Sequence, residues 1–395
     1  MWQSEFCMNN RSRIAGAILT TALGALIAQP VFGQGCIVSR SNGEVGGPQS
    51  TGGYLQPGDF QFGDAYRHQF SFRHFVGPTE QTYRIEQGTQ VMNKLNLQNF
   101  FVTYQISRRI SVSAYVPLML ASRHTHNSPI TYTSSGIGDI SFTVDAWLFN
   151  TTENTRGNVQ LGIGLVTPTG KDNVSNVVDA FDGKGPHTQI VDYSIQPGQG
   201  GWGIPFQWAS FKNGGSTQLY FNGVYTAMLQ SINDVYRTNA TANPATMTQF
   251  NAISDQYLLE AGIAAPVPKA KGLTFTFGPR MEGVPARNLF PADNLGFRRP
   301  GFAISLEPGL QYVHGPHVLS VAVGKAIYRD RTRSVPDTIT GGHGDAAFAD
   351  YVWLASYSFR YSRHPKPPMD HHASQPGLAA QPSTPKPATT GGSSL

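Results

Sequence analysis

Apolar and polar residues alternate along most of this chain, and no apolar run after Ala28 is long enough to cross a bilayer as a helix. In 139–150, Ile140, Phe142, Val144, Ala146 and Leu148 alternate with Asp139, Ser141, Thr143, Asp145 and Trp147. In 158–165, Val159, Leu161, Ile163 and Leu165 alternate with Asn158, Gln160, Gly162 and Gly164. Trp202, Ile204, Phe206 and Trp208 share one face of 201–211. Tyr351, Trp353, Ala355, Tyr357, Phe359 and Tyr361 face away from Ser356, Ser358, Arg360 and Ser362. A period of two puts each set on one side of a sheet. Soluble sandwiches alternate as well, so the pattern establishes strands before it establishes where they lie.

The connections discriminate better. Strands are expected near 59–75, 97–106, 109–119, 137–149, 157–167, 201–211, 216–229, 252–266, 272–281, 300–313, 317–328 and 350–362. Short turns at Arg108-Arg109, 151–156, 212–215, 268–271 and Gly315-Pro316 alternate with long polar loops at 76–96, 120–136, 168–200, 230–251, 282–299 and 329–349. Long structureless loops count against an ordinary soluble domain, whereas short turns at one end and long loops at the other describe an outer-membrane barrel. Charged residues are 13% of the chain, about half the usual share. The expected fold class is all-β: a transmembrane antiparallel up-and-down β-barrel of about twelve strands over 59–363. An even count puts both termini on the periplasmic side of a Gram-negative-type outer membrane.

Arg11 and Arg13 precede the uncharged run Ile14–Ala28, and Val31-Phe32-Gly33 offers small residues before Gln34. This anatomy reads as a signal peptide over 1–33. A single membrane anchor and a lipoprotein acylated at Cys36 remain the alternatives. Residues 34–58 read as a flexible lead-in, with a small lumen plug as the other option. Residues 364–395, rich in Pro, Ser and Thr, read as a disordered periplasmic tail. The adjacent His371 and His372 there make a poor metal site. Cys7 would leave with the signal, so no internal disulfide is expected.

Gly136-Ile137-Gly138-Asp139 opens a strand, a later strand ends in Gly164-Leu165-Val166-Thr167-Pro168-Thr169-Gly170, and Gln199-Gly200-Gly201-Trp202-Gly203 opens the next. This arrangement resembles the outer-membrane β-barrel family of transporters of the meta-pathway of phenol degradation type. The resemblance spans most of 59–363, with its recognisable motifs in 136–225. It implies an outer-membrane location and passage of small, hydrophobic or aromatic molecules, and it supplies no catalytic residues. Physically, glycines at these strand ends suit bends and close approach, and Pro168 ends pairing.

Strand parity places Arg67, Arg73, Asp139, Asp145, Gln160, Glu260, Arg280, Glu307 and Arg360 in the lumen, because charges on the lipid face are costly. The mixed signs argue against a strongly ion-selective pore and suit internal salt bridges. Lys325 conflicts, sharing parity with Val321 and Val323; a bulge at Gly324, or snorkelling at an interface, would resolve it. A net charge of +5 without a basic–aromatic cluster excludes nucleic acid. The expected partners are outer-membrane lipid, a small-molecule solute and the barrel-assembly machinery, with no cofactor, metal or catalytic residue. The rival reading is an outer-membrane enzyme acting on lipid through His124, His126 and Ser128, with His68 and His74 nearby. No G-x-S-x-G, H-E-x-x-H or Walker motif accompanies them. A structural or adhesive barrel shares every feature of the transporter reading.

Overall fold

The computed structural model describes residues 53–362 apart from 180–182, 238–239, 241 and 292. The signal segment 1–33, Cys36, most of the lead-in and the tail 364–395 lie outside the described residues. The barrel strands are β1 (Phe60–Val76), β2 (Val91–Gln105), β3 (Ile110–Thr125), β4 in two segments (Thr131–Ile137 and Ser141–Trp147), β5 (Gly157–Val166) and β6 (Gly203–Gly214). They continue as β7 (Thr217–Met228), β8 (Gln256–Pro266), β9 (Leu273–Val284), β10 (Gly301–His314), β11 (His317–Asp330) and β12 (Ala346–Tyr361).

Each strand pairs antiparallel with its sequence neighbours, and β12 returns to β1 from Phe60↔Tyr361 up to Phe75↔Ala346. The twelve strands therefore close, as the sequence alternation required, and leave no lipid-exposed edge with unpaired N–H and C=O groups. Phe60 and Tyr361 both lie at the short-turn end. Gly215 and Gly315 hold the left-handed conformation in the tight turns before β7 and β11, where a side chain would be strained.

The barrel is inside out relative to a soluble protein. Its outer wall exposes Leu161, Ile163, Phe221, Phe275, Leu310, Val321 and Trp353, while Gln61, Ser113, Asp145, Glu260 and Gln311 are buried inside. Such a wall is stable only against hydrocarbon, which makes the barrel transmembrane. Lys325 faces outward and is exposed beside Tyr351, as snorkelling requires. The register shift of β11 falls at Ile327 rather than at Gly324, since Ile304 pairs with Tyr328 and Ser305 with Ala326.

Several strands run further toward the loop end than the alternation indicated. β2 starts at Val91 and β3 continues to Thr125, because this stretch reverses the usual polarity: Leu95, Leu97, Met119 and Ala121 face inward. β4 is interrupted at 138–140, where three residues oppose Val116 and Pro117.

On the apolar belt, Val321→Arg should lower the unfolding free energy in lipid vesicles by about 2–4 kcal/mol, and Val321→Leu should change it by less than about 0.5 kcal/mol. Urea titration, read by heat-modifiable gel migration, measures both; equal effects would mean that this wall does not face lipid.

Candidate functional site

The lumen is divided by a buried ion network. Arg67 from β1 donates to Glu282 Oε2 at 2.8 Å and to Gln69 Oε1 at 2.8 Å. Arg280 from β9 donates to Glu282 at 3.1 Å, to Glu307 of β10 at 3.4 Å and to Glu260 of β8. Both guanidiniums are almost fully buried. The network ties β1 to β8–β10 and blocks that side of the barrel. Buried charges of this kind demand complete pairing, so removal of one partner is severe.

Beside it lies a chamber of about 290 Å³, bounded chiefly by β2–β8. Its wall mixes aromatic and apolar groups (Tyr115, Trp147, Val224, Leu258) with polar ones (Asn99, Gln207). Asp145 accepts from Thr143 Oγ1 at 2.9 Å and Gln207 Nε2 at 2.8 Å, so its carboxylate is held against the wall. The floor is the segment entering β1. The Tyr54 ring meets Trp147 edge-on at 5.1 Å and lies 6.1 Å from Phe211. The Tyr54 hydroxyl donates to the Asn154 carbonyl at 3.0 Å, and Arg360 donates to the Gly53 carbonyl at 2.6 Å. The end of the lead-in thus crosses the turn-side mouth.

The roof is made by the three glycine motifs. The Asp139 carboxylate accepts from Gly170 N–H at 3.0 Å and from Gln199 N–H at 2.8 Å. Thr169 Oγ1 donates to the Gly138 carbonyl at 3.1 Å and accepts from Ile140 N–H at 2.8 Å. A Cβ on Gly170 would stand 2.7 Å from Gly198 Cα and 2.8 Å from the Gly138 carbonyl carbon, so only glycine permits this approach. The motifs shape the barrel, and Asp139 is their common acceptor.

Above the roof, the loop between β5 and β6 turns inward. Val191 and Ile195 pack on Leu95, Leu97 and Met119, and Asp192 caps the short 3₁₀ turn Tyr193–Ile195 by accepting from Ser194 N–H at 3.0 Å. Arg299 grips both Asp192 oxygens at 2.8 and 2.7 Å, and Tyr193 meets Phe297 edge-on at 5.7 Å. Burial alone would raise the Asp192 carboxyl, but Arg123 and Arg299 outweigh it and hold it well below the usual carboxylate range.

The parity-selected residues therefore divide into groups. Arg67, Arg280 and Glu307 belong to the ion network, and Glu260 belongs to both network and chamber. Asp139, Asp145, Gln160 and Arg360 border the chamber. Arg73 lies beyond two register shifts at the loop-side rim, partly exposed and paired with Glu80 and Asp350. Sequence reasoning missed Tyr54, which lay in a segment read as flexible. It also missed the plug at Val191–Ile195, whose only signal is a short apolar cluster in a polar loop. Trp147 was visible through its shared parity with Asp145.

The histidines do not assemble. His74 bonds Asp345 at 2.8 Å and accepts from Val91 N–H at 2.8 Å, His68 bonds Asn96 at 2.9 Å, and His124 is the next-to-last residue of β3. His126 and Ser128 lie in the following turn. Among the described residues no group of three His, Cys, Asp or Glu side chains could hold a metal ion.

No protein-family model matches the chain, and no curated protein matches it in sequence. Solved structures with a similar outline include the β domain of the Bordetella autotransporter BrkA (10% identity, 76% of this chain and 99% of that one, TM-score 0.43). The Pseudomonas putida toluene transporter TodX (10%, 84% and 99%, 0.38) and the monoaromatic hydrocarbon channel CymD (12%, 85% and 100%, 0.37) are others. They include both autotransporter domains and hydrocarbon channels, and the likeness distinguishes neither.

Arg280→Met leaves three carboxylates facing one another and should cost about 3–5 kcal/mol of stability in vesicle-based urea unfolding. The Asp192 pin has the opposite trigger. A carboxyl depressed in the folded state stabilises above the usual carboxylate range and loses that contribution as pH falls through its folded value. Protection of the amides flanking Arg299, expressed relative to the intrinsic exchange rate at each pH, should therefore be high at neutral pH and fall as pH drops below the usual carboxylate range; Asp192→Asn should be poorly protected at both.

Proposed function

We propose that this protein spans the outer membrane of a Gram-negative-type bacterium and passes small hydrophobic or aromatic solutes through the lumen chamber. The carrying observation is the chamber itself: a space of about 290 Å³ whose wall includes aromatic and aliphatic side chains, beside the buried ion network. That volume suits a molecule of one or two rings, and amides such as Asn99 and Gln207 among the wall's polar groups can orient it by hydrogen bonds. The resemblance of the glycine motifs to those of the phenol meta-pathway transporters supports the same solute class. The N-terminal signal supports export, with barrel-assembly machinery completing insertion, and the short-turn end with both termini then faces the periplasm. The floor of Tyr54 and the roof at Asp139 and Gln199 must shift for passage, and Tyr54, held by hydroxyl bonds to Asn154 and Asn158 and by ring contacts, is the lighter obstacle.

Cells carrying the protein should take up small radiolabelled aromatics faster than cells lacking it, and Tyr54→Ala should raise uptake several-fold and add measurable conductance in planar bilayers. Equal uptake with and without the protein, together with no conductance in the Tyr54→Ala variant, would defeat this reading.

A further inference from the structure

One sector of the outer wall breaks the apolar belt. On β1 the outward positions between Phe62 and Phe70 are Asp64, Tyr66 and His68. On β2 the outward positions above Phe100 are Gln98, Asn96 and Lys94. The register pairs them in rows, Tyr66 with Gln98 and His68 with Asn96. The Tyr66 hydroxyl donates to Asn96 Oδ1 at 2.7 Å, His68 Nδ1 lies 2.9 Å from the same oxygen, and Gln98 donates to Asp64. Lys94 is exposed and has no ion-pair partner among the described residues, and Asp64 Oδ1 is buried without a hydrogen bond. A recess bordered by Lys94, Ser122, Thr133 and Asn176 extends the polar strip upward. Behind it the lumen face of the same strands is apolar, with Leu95, Leu97, Met119 and Ala121 packed on the inward loop. The wall here has the polarity of a strand whose outer side meets protein.

From this we propose that β1–β3 form the contact face for a second copy of this chain within the membrane. The rows of Tyr66 and His68, level with Val321, Trp353 and Leu120, lie inside the belt, where hydrocarbon offers no donor or acceptor, while Lys94 stands a row higher beside Phe70, level with Lys325. Lipid headgroups lie at the ends of the strands, not along this row. Copies inserted in one orientation are related by rotation about the membrane normal, so each row meets a row of equal depth. Asn96, Gln98, Tyr66 and His68 each both donate and accept, so the strip can satisfy its own image across a twofold axis. Polar side chains hold membrane segments together in this way.

The test uses the full-length protein extracted from outer membranes in mild detergent. Native mass spectrometry should give twice the chain mass. The variant His68→Leu/Asn96→Leu/Gln98→Leu should give a single chain while keeping heat-modifiable migration, which separates loss of contact from loss of the barrel. In a Cys36→Ser background, which needs no such fold comparison, Asn96→Cys should form a chain-to-chain disulfide in intact membranes under mild oxidation. Ile263→Cys, on β8 at the opposite wall, should not. A wild-type protein of single-chain mass, an adduct with a different protein, or equal cross-linking at both positions would overturn the proposal.

Discussion

Backbone hydrogen bonding in hydrocarbon governs everything else in this molecule. Inside a bilayer an unpaired N–H or C=O has no water to turn to, so a sheet must end where it began. Here that obligation falls on β1 and β12, which pair along almost their whole length with the register shifts confined to Gln69–Arg73. Once the circle is closed, alternation follows. Every second side chain must tolerate lipid, and every other must find a partner in a lumen too narrow for free water throughout. The ion network of Arg67, Arg280, Glu260, Glu282 and Glu307 answers the second demand, and it leaves the β2–β8 side as the space where something else can fit.

The barrel was legible because hydrophobic alternation and loop length are local signals. Short turns stood out at Gly215 and Gly315, and the lipid belt stood out wherever a strand had one clean apolar face. The upper parts of β2 and β3 were hidden for a specific reason: Leu95, Leu97, Met119 and Ala121 point inward and Lys94, Asn96 and Gln98 outward, the reverse of the rule applied elsewhere. Parity assigns the charged residues to one side only while register is unbroken. It brought Arg67, Arg280, Glu260 and Glu307 to one network, and it stopped being informative past the shifts that carry Arg73 to the rim.

The chamber was harder to read, because its ends are made by contacts between distant segments. Tyr54 reaches Trp147 and Asn154 from a stretch whose composition suggests only a tether. Asp139 looks like one more lumen acid, yet its carboxylate serves two backbone N–H groups. Periodicity within one strand carries no information about such meetings. The glycine motifs did mark the place; their purpose appeared only when the three came together.

That meeting also sets an order of events. Asp139 joins Gly170 and Gln199, 31 and 60 residues along the chain. The roof cannot form until β4, β5 and β6 stand side by side, since the cost of closing those loops falls before any of the bonds is gained. Those three strands are neighbours in the chain, whereas the tube itself exists only once β12 meets β1, so the lid needs nothing from the last strands and can stand before the circle is complete.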